Sequence, residues 1–175
     1  MKTNNINNSL NIKNLLNSII DMAYKGQEGH VPSALSILDI VYVLYFKYLN
    51  LNSIKAKKNN RDIFVLSKGH GCLALYSVLA EKKFFNKKEL LTFCKFNSNF
   101  GGHPDMLKIP GVEFSTGSLG HGLPMSAGLA LSSKINRNKN KIIALIGDGE
   151  CNEGSIWETF LLAYSNNLNN LTCII

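Results

Sequence analysis

Three short apolar runs constrain this chain more than any other feature: IFVLS at 63–67, KIIALIG at 141–147 and LTCII at 171–175. Each has strand length, and each is bounded by polar or turn-forming residues. Stretches with helical spacing of apolar residues separate them, and parallel strands need such crossovers. Alternation of this kind specifies an α/β fold, a doubly wound parallel sheet with helices on both faces, joined by right-handed connections. The 175 residues, 45% of them hydrophobic, suffice for one core. We therefore expect a single domain over 1–175. LTCII reaches the last residue given, so that domain is expected to be incomplete at its C-terminus.

The helical pattern is clearest over 9–24, where Leu10, Leu15, Leu16, Ile19, Ile20 and Ala23 recur on one side and Gly26 follows as a stop. A second helix is expected over 34–48, capped by Ser33 or Ser36. It is apolar on most faces through Leu35, Ile37, Leu38, Ile40, Val41, Val43 and Leu44, which implies burial. Further helices are expected over 70–82, 86–96, 125–135 and 154–166. Gly128, between small neighbours, suggests close packing of its helix. A polar linker follows Tyr48. The segment from Phe96 to Pro124 is long, glycine-rich and irregular, the kind of loop that carries function.

Composition removes several classes of function. The net charge of +7 comes from lysines in KAKKNN, EKKFFNKK and NRNKNK, without arginines interleaved with aromatics, so solvated surface is favoured over nucleic-acid binding. No apolar stretch reaches membrane-spanning length. The N-terminus lacks the pattern of a secretory signal, which favours a cytoplasmic protein. Cys72, Cys94, Cys151 and Cys173 form no CxxC pair and have no histidine at zinc-finger spacing, so reduced, mostly buried thiols are expected. No GxGxxG follows a strand, which argues against a dinucleotide site.

Ligands of open parallel sheets bind beyond the carboxyl ends of the strands. Two strands here end in unusual loops: IFVLS runs into KGHG, and KIIALI into GDGECNEG. Glycines there allow a ligand close to the backbone. Asp148 between two glycines suits a hard cation that also takes phosphate oxygens, with a helix N-terminus following. GDG alone favours a plain turn, since Asp and Gly are turn formers. The histidines add weight: His30, His70, His103 and His121 are all that the chain has, and each lies in a glycine-rich loop or beside one. Such a set suggests a polar cleft able to move protons near neutral pH.

These segments resemble, in order, the N-terminal diphosphate-binding part of transketolases, and in particular the separately encoded N-terminal subunit of split transketolases. The resemblance rests on GHVPSALSILDIVYVLYF, RDIFVLSKGHGCLALYSVLA, FGGHPD, PGVEFSTGSLGHGLPMSAGLAL and IALIGDGECNEGSIWETFLLA. It implies thiamine diphosphate and a divalent metal, Mg²⁺ or Ca²⁺, used in moving a two-carbon ketol unit from a ketose phosphate to an aldose phosphate. It makes Asp148 a metal ligand. Gly149 and His70 would serve the diphosphate, and Gly117 and Leu119 would contact the cofactor. It places His30 and His103 along the sugar channel as catalytic groups, and Glu153 in a carboxylate network at a dimer interface. It further implies a partner subunit with the pyrimidine-binding domain, in a dimer or heterotetramer. His121 departs from the family, which more often has Gln there. The family's second metal ligand, an Asn after the strand following GDG, has no counterpart in this sequence; Asn166, Asn167, Asn169 and Asn170 precede that strand and read as turn residues. Two alternatives stand beside this reading: another thiamine diphosphate enzyme such as deoxyxylulose phosphate synthase, and a non-catalytic, truncated paralogue serving as a binding module.

Overall fold

The three apolar runs form one parallel sheet in the computed structural model, which describes residues 2–51 and 61–175, with side chains described from residue 12 onward. Strands β1 (Ile63–Leu66), β2 (Ile142–Leu145) and β3 (Leu171–Ile174) lie in the order β1-β2-β3. Ile63 is level with Ile142, and Ile142 with Leu171. The parallel α/β class expected from the alternation is the one observed. β2 is buried along its whole length, which explains its unbroken apolar sequence.

The chain divides into two units, one of Met1–Tyr48 with His70–Gly111, the other of Leu49–Gly69 with Val112–Ile175. The sheet belongs to the second. There helix α5 (Gly122–Ile135) lays Leu123, Ala127 and Ala130 on the strands, meeting Ala144 and Ile142 of β2. Helix α6 (Gly154–Ser165) adds Ile156 to the same core. The amino-terminal edge of the sheet is fastened by the buried Asp62. Its carboxylate accepts from the backbone N–H groups of Asn50 (2.9 Å) and Lys141 (2.8 Å). Arg61 and Glu113 add a two-pronged ion pair, with Nη2 to Oε2 at 2.8 Å.

In the first unit, helix α1 (Lys2–Gly26) buries Leu15, Ile19 and Met22, one stripe at helical spacing. Leu16 and Ile20, expected on that stripe, are exposed; the true stripe advances by four and three residues and takes in Met22 instead. The side chain of Leu10 and the linker residues 52–60 lie outside the described residues. α1 ends at Gly26 because Gln27 turns to a φ of 50°. The helix expected over 34–48 is three pieces: α2 (Val31–Leu35), α3 (Leu38–Val43) and a wider turn at Leu44–Tyr48. The break at Ser36–Ile37 has a local cause. Ser36 Oγ donates to the Ser33 carbonyl at 3.0 Å, and the Ile37 N–H bonds back to Ala34, tightening the turn. Neither serine is a helix N-cap: His30 occupies that position in α2 without a side-chain bond, Ile37 occupies it in α3, and Ser36 closes α2 as its C-cap. Leu35 and Val43 consequently stand exposed.

Helix α4 (Cys72–Glu81) is buried from Cys72 to Ala80, as its all-round apolar sequence requires. The helix expected over 86–96 shortens to a tight turn at Lys87–Thr92, held by a capping box between Asn86 and Glu89. Gly128 faces open space with no neighbour within 4 Å, so the close helix packing expected there is absent among the described residues. The thiols are all free, yet only Cys72 is buried; Cys94 is exposed, against the expectation of mostly buried cysteines.

Candidate functional site

Both strands that end in unusual loops deliver those loops to the carboxyl edge of the sheet. After β1 come Ser67, Lys68 and Gly69; after β2 come Gly147, Asp148 and Gly149. A third segment, Ser115–His121, joins them. Thr116 Oγ1 donates to the Leu66 carbonyl at 2.6 Å, and Gly69 packs so closely that a Cβ there would stand 2.7 Å from the Thr116 oxygen. Gly117 therefore runs directly beside Gly69. At Gly120 the backbone takes a φ of +79°, and a Cβ would strike Ser155 Oγ at 2.6 Å and Glu153 Cβ at 2.8 Å. A side chain at 120 is excluded twice, by dihedral and by space.

Asp148 caps a tight turn, Gly149–Asn152, through its backbone, and its side chain makes no capping bond. The carboxylate is exposed and takes no hydrogen bond among the described residues. A hard, oxygen-only ligand of this kind fits a magnesium-sized cation that draws further ligands from phosphate and water. No group of three His, Cys, Asp or Glu residues that could hold a metal alone occurs among the described residues. One protein carboxylate beside a glycine loop thus suits a cation shared with an anionic ligand, not a dedicated protein cage. Gly149 is equally open, with nothing within 4 Å of a notional Cβ. Glu153 sits at the N-cap of α6 with an exposed side chain, its Cβ and Cγ lying against Gly120. Leu119 is half-buried, and its carbonyl accepts from His121 Nδ1 at 3.0 Å. That contact is local, two residues back along the same loop, and His121 is otherwise exposed. The four asparagines before β3 lie in and around the turn that ends α6, as expected. Asn170 there donates to the Ala130 carbonyl at 3.0 Å.

The remaining histidines lie in the other unit. His30, at the start of α2, meets His70, in the Gly69–Gly71 turn, edge to face with ring centroids 5.4 Å apart. Sequence separation hid this pairing. His103 is exposed in the loop following α4 and is not part of that ring pair. Its loop is held from α4: Tyr76 OH donates to the Gly101 carbonyl at 3.0 Å, and Cys72 Sγ to that of Gly102 at 3.1 Å. Asp105 then turns the chain by accepting from the Leu107 N–H at 2.9 Å. Burial pushes the Cys72 thiol up to about 12 and raises the Tyr76 hydroxyl well above its ordinary value. Both stay protonated donors, so their task is to hold the loop. Cys173 is likewise raised, to about 11, by burial.

One residue escaped sequence reasoning. Glu150, in GDGECNEG, is 1% exposed. Oε1 accepts from Ser67 Oγ at 2.5 Å and from the Gly120 N–H at 2.9 Å; Oε2 accepts from the Gly147 N–H at 3.1 Å. The only available signal was a carboxylate three residues after Gly147, indistinguishable in sequence from a solvated turn residue.

Comparison with known proteins adds four findings. Residues 7–175 match the family model described as the thiamine diphosphate binding domain of transketolase. The chain is 37% identical over 157 residues to one of the subunits of apulose-4-phosphate transketolase from Phocaeicola vulgatus, covering 90% of this chain and 56% of that one. It is 44% identical over 146 residues to the subunit of the same name from Actinobacillus succinogenes, covering 83% and 53%. The chain thus spans about half the length of these relatives. Among solved structures, a transketolase mutant from Pichia stipitis superposes with a TM-score of 0.79 at 29% identity, over 94% of this chain and 26% of that one.

Proposed function

The chain belongs to the transketolase thiamine diphosphate-binding domain family, and on that premise we propose that it supplies the diphosphate-binding half of a two-subunit transketolase. The substrates are a ketose phosphate donor and an aldose phosphate acceptor, between which a two-carbon ketol unit passes. The two apulose-4-phosphate relatives are named as subunits, which supports a separate partner, here one that carries the pyrimidine-binding domain, in a dimer or heterotetramer. A cytoplasmic setting goes with this reading. Among the described residues no helix is long and apolar enough to cross a membrane.

The observation that carries the reading is the carboxylate of Asp148. It follows the central strand, is exposed, takes no hydrogen bond from the described residues, and stands beside a glycine with open space. Asp148 would hold Mg²⁺ or Ca²⁺ against the diphosphate. Gly149, Gly117 and Leu119 would present backbone and a short apolar surface to the cofactor. When bound, thiamine diphosphate supplies the carbanion stabilisation that the protein's own groups cannot. His30 and His103 would bind donor hydroxyls and move protons at those oxygens. His70, set by its ring contact with His30, would serve the diphosphate side. Glu153, exposed at the start of α6, would meet a carboxylate of the partner.

The test is magnesium-dependent binding of thiamine diphosphate by calorimetry, with and without the partner subunit. Asp148→Ala is expected to weaken metal-dependent affinity at least tenfold while leaving the melting temperature within about 2 °C, since an exposed, unpaired side chain contributes little to stability. Equal affinity in wild type and Asp148→Ala would remove the metal assignment. Absence of binding by the wild type with its partner would favour a non-catalytic module. A panel of sugar phosphates then separates transketolase from other two-carbon transferases.

A further inference from the structure

We propose that Glu150 is a positioning residue that holds three loop segments in one register, and that the geometry of the cofactor site depends on this buried clamp. The inference rests on the thiamine diphosphate reading above. Its atoms are all within one unit of the chain. Ser67 follows β1, Gly120 lies within the Ser115–His121 segment, and Gly147 follows β2. Each donates to the same carboxylate, at 2.5, 2.9 and 3.1 Å. Sequence separation between Glu150 and these donors is 83, 30 and 3 residues, so the clamp ties distant segments and not one turn.

The chemistry of the donor set explains why a carboxylate is needed. Three donors converge on two oxygens at a position 1% exposed, where water cannot substitute. An ionised carboxylate is an acceptor at every lone pair, and its hydrogen bonds are stronger than those of neutral acceptors. Glutamine has the same shape but one acceptor oxygen. Whichever way the amide lies, its NH₂ faces a backbone N–H, of Gly147 or of Gly120, and one donor is left unmatched. The clamp also decides which backbone donors remain for an anionic ligand. The N–H groups of Gly120 and Gly147 are committed inward to Glu150. A diphosphate must therefore be served by other groups of these loops, and it meets them in the conformation Glu150 imposes.

Glu150→Gln and Ser67→Ala test this. The first readout needs no cofactor: amide hydrogen exchange of Gly120 and Gly147 relative to the β2 amides. Glu150→Gln is expected to accelerate exchange at one of these glycines at least tenfold while β2 stays protected. The second readout is the dissociation constant of thiamine diphosphate with magnesium, expected to rise at least tenfold in Glu150→Gln and about threefold in Ser67→Ala. Ser67→Ala removes one hydroxyl from a buried site without adding volume, so it keeps the test alive if Glu150→Gln fails to fold. Unchanged exchange and affinity in Ser67→Ala would then overturn the clamp. Wild-type exchange at both glycines in Glu150→Gln, or faster exchange with unaltered affinity, would overturn the inference alone. A wild type that binds no thiamine diphosphate with its partner would instead overturn the proposed function, and with it the cofactor half of this inference.

Discussion

Gly149 provides a sharp separation between what the fold requires and what a ligand requires. Its φ is not in the left-handed region, and a Cβ built on it meets nothing within 4 Å. The folded chain therefore has no steric need for glycine there. Alanine should stabilise the protein by about 0.4–1 kcal/mol, through the lost freedom of the unfolded chain. If a diphosphate lies against this backbone, the same methyl group intrudes on it. Overpacking of that size costs about 1–3 kcal/mol, or roughly 5- to 150-fold in affinity. Gly69 supplies the contrast. Its Cβ would lie 2.7 and 2.8 Å from the Thr116 oxygen and carbon and 2.9 Å from the Gly117 nitrogen, all backbone atoms that cannot rotate away. The Ser115–His121 segment must shift by roughly half an ångström or more to reach ordinary contact. That shift strains the bond from Thr116 Oγ1 to Leu66. Overpacking and a weakened hydrogen bond together give about 2–4 kcal/mol of destabilisation. For a chain of this length that is a fall of roughly 4–16 °C in melting temperature. Differential scanning fluorimetry and calorimetric titration with thiamine diphosphate and magnesium read both variants. Gly149→Ala should melt at or above wild type with weakened cofactor binding, and Gly69→Ala should melt well below it. A Gly149→Ala variant that melts as low as Gly69→Ala refutes the steric argument. One that binds cofactor like wild type refutes the assignment of Gly149.

Two more outcomes are expected. His103→Ala should cut turnover, measured with a ketose phosphate in the presence of the partner, by about two orders of magnitude. Its melting temperature should move by less than about 2 °C, because the side chain is exposed; a large loss of stability with normal turnover would remove the catalytic role. Cys72 sets an alkaline limit. Its thiol ionises near 9 when unfolded and is pushed up to about 12 by burial, so the folded state keeps a proton that the unfolded state has lost. Stability conferred by this group is fully present below pH 9. It falls between pH 9 and 12 by about 1.4 kcal/mol per pH unit. Urea midpoints measured across that range should decline less steeply in Cys72→Ala; equal slopes would show that this thiol is not the source.

The division between sequence and tertiary structure runs along the range of the forces involved. The runs at 63–67 and 141–147 read as parallel strands because burial on both faces demands unbroken apolar sequence, a local signal, whereas 171–175, only partly buried, read as a strand from its length and its place after a helix. Helices α4, α5 and α6 lie where they are expected to within three residues, because helical spacing is local too; α1 is a helix as expected but starts at Lys2 and buries Met22 in place of Leu16 and Ile20. That Asp148 and Gly149 follow a strand could also be read from the chain, as could the placing of all four histidines in or beside loops; that this strand is the central one came from the sheet order. The break at Ser36 could not, because apolar periodicity continues through it while a hydroxyl redirects the backbone. Gly128 misled because small residues mark close packing only when a neighbour arrives, and none does among the described residues. The meeting of His30 with His70 required residues 40 positions apart in sequence to come together. Glu150 is the clearest case. In sequence it is one more acidic residue in a turn. Only the packed structure brings Ser67, Gly120 and Gly147 to it and removes the water, because a buried carboxylate is defined by donors that come from elsewhere in the chain.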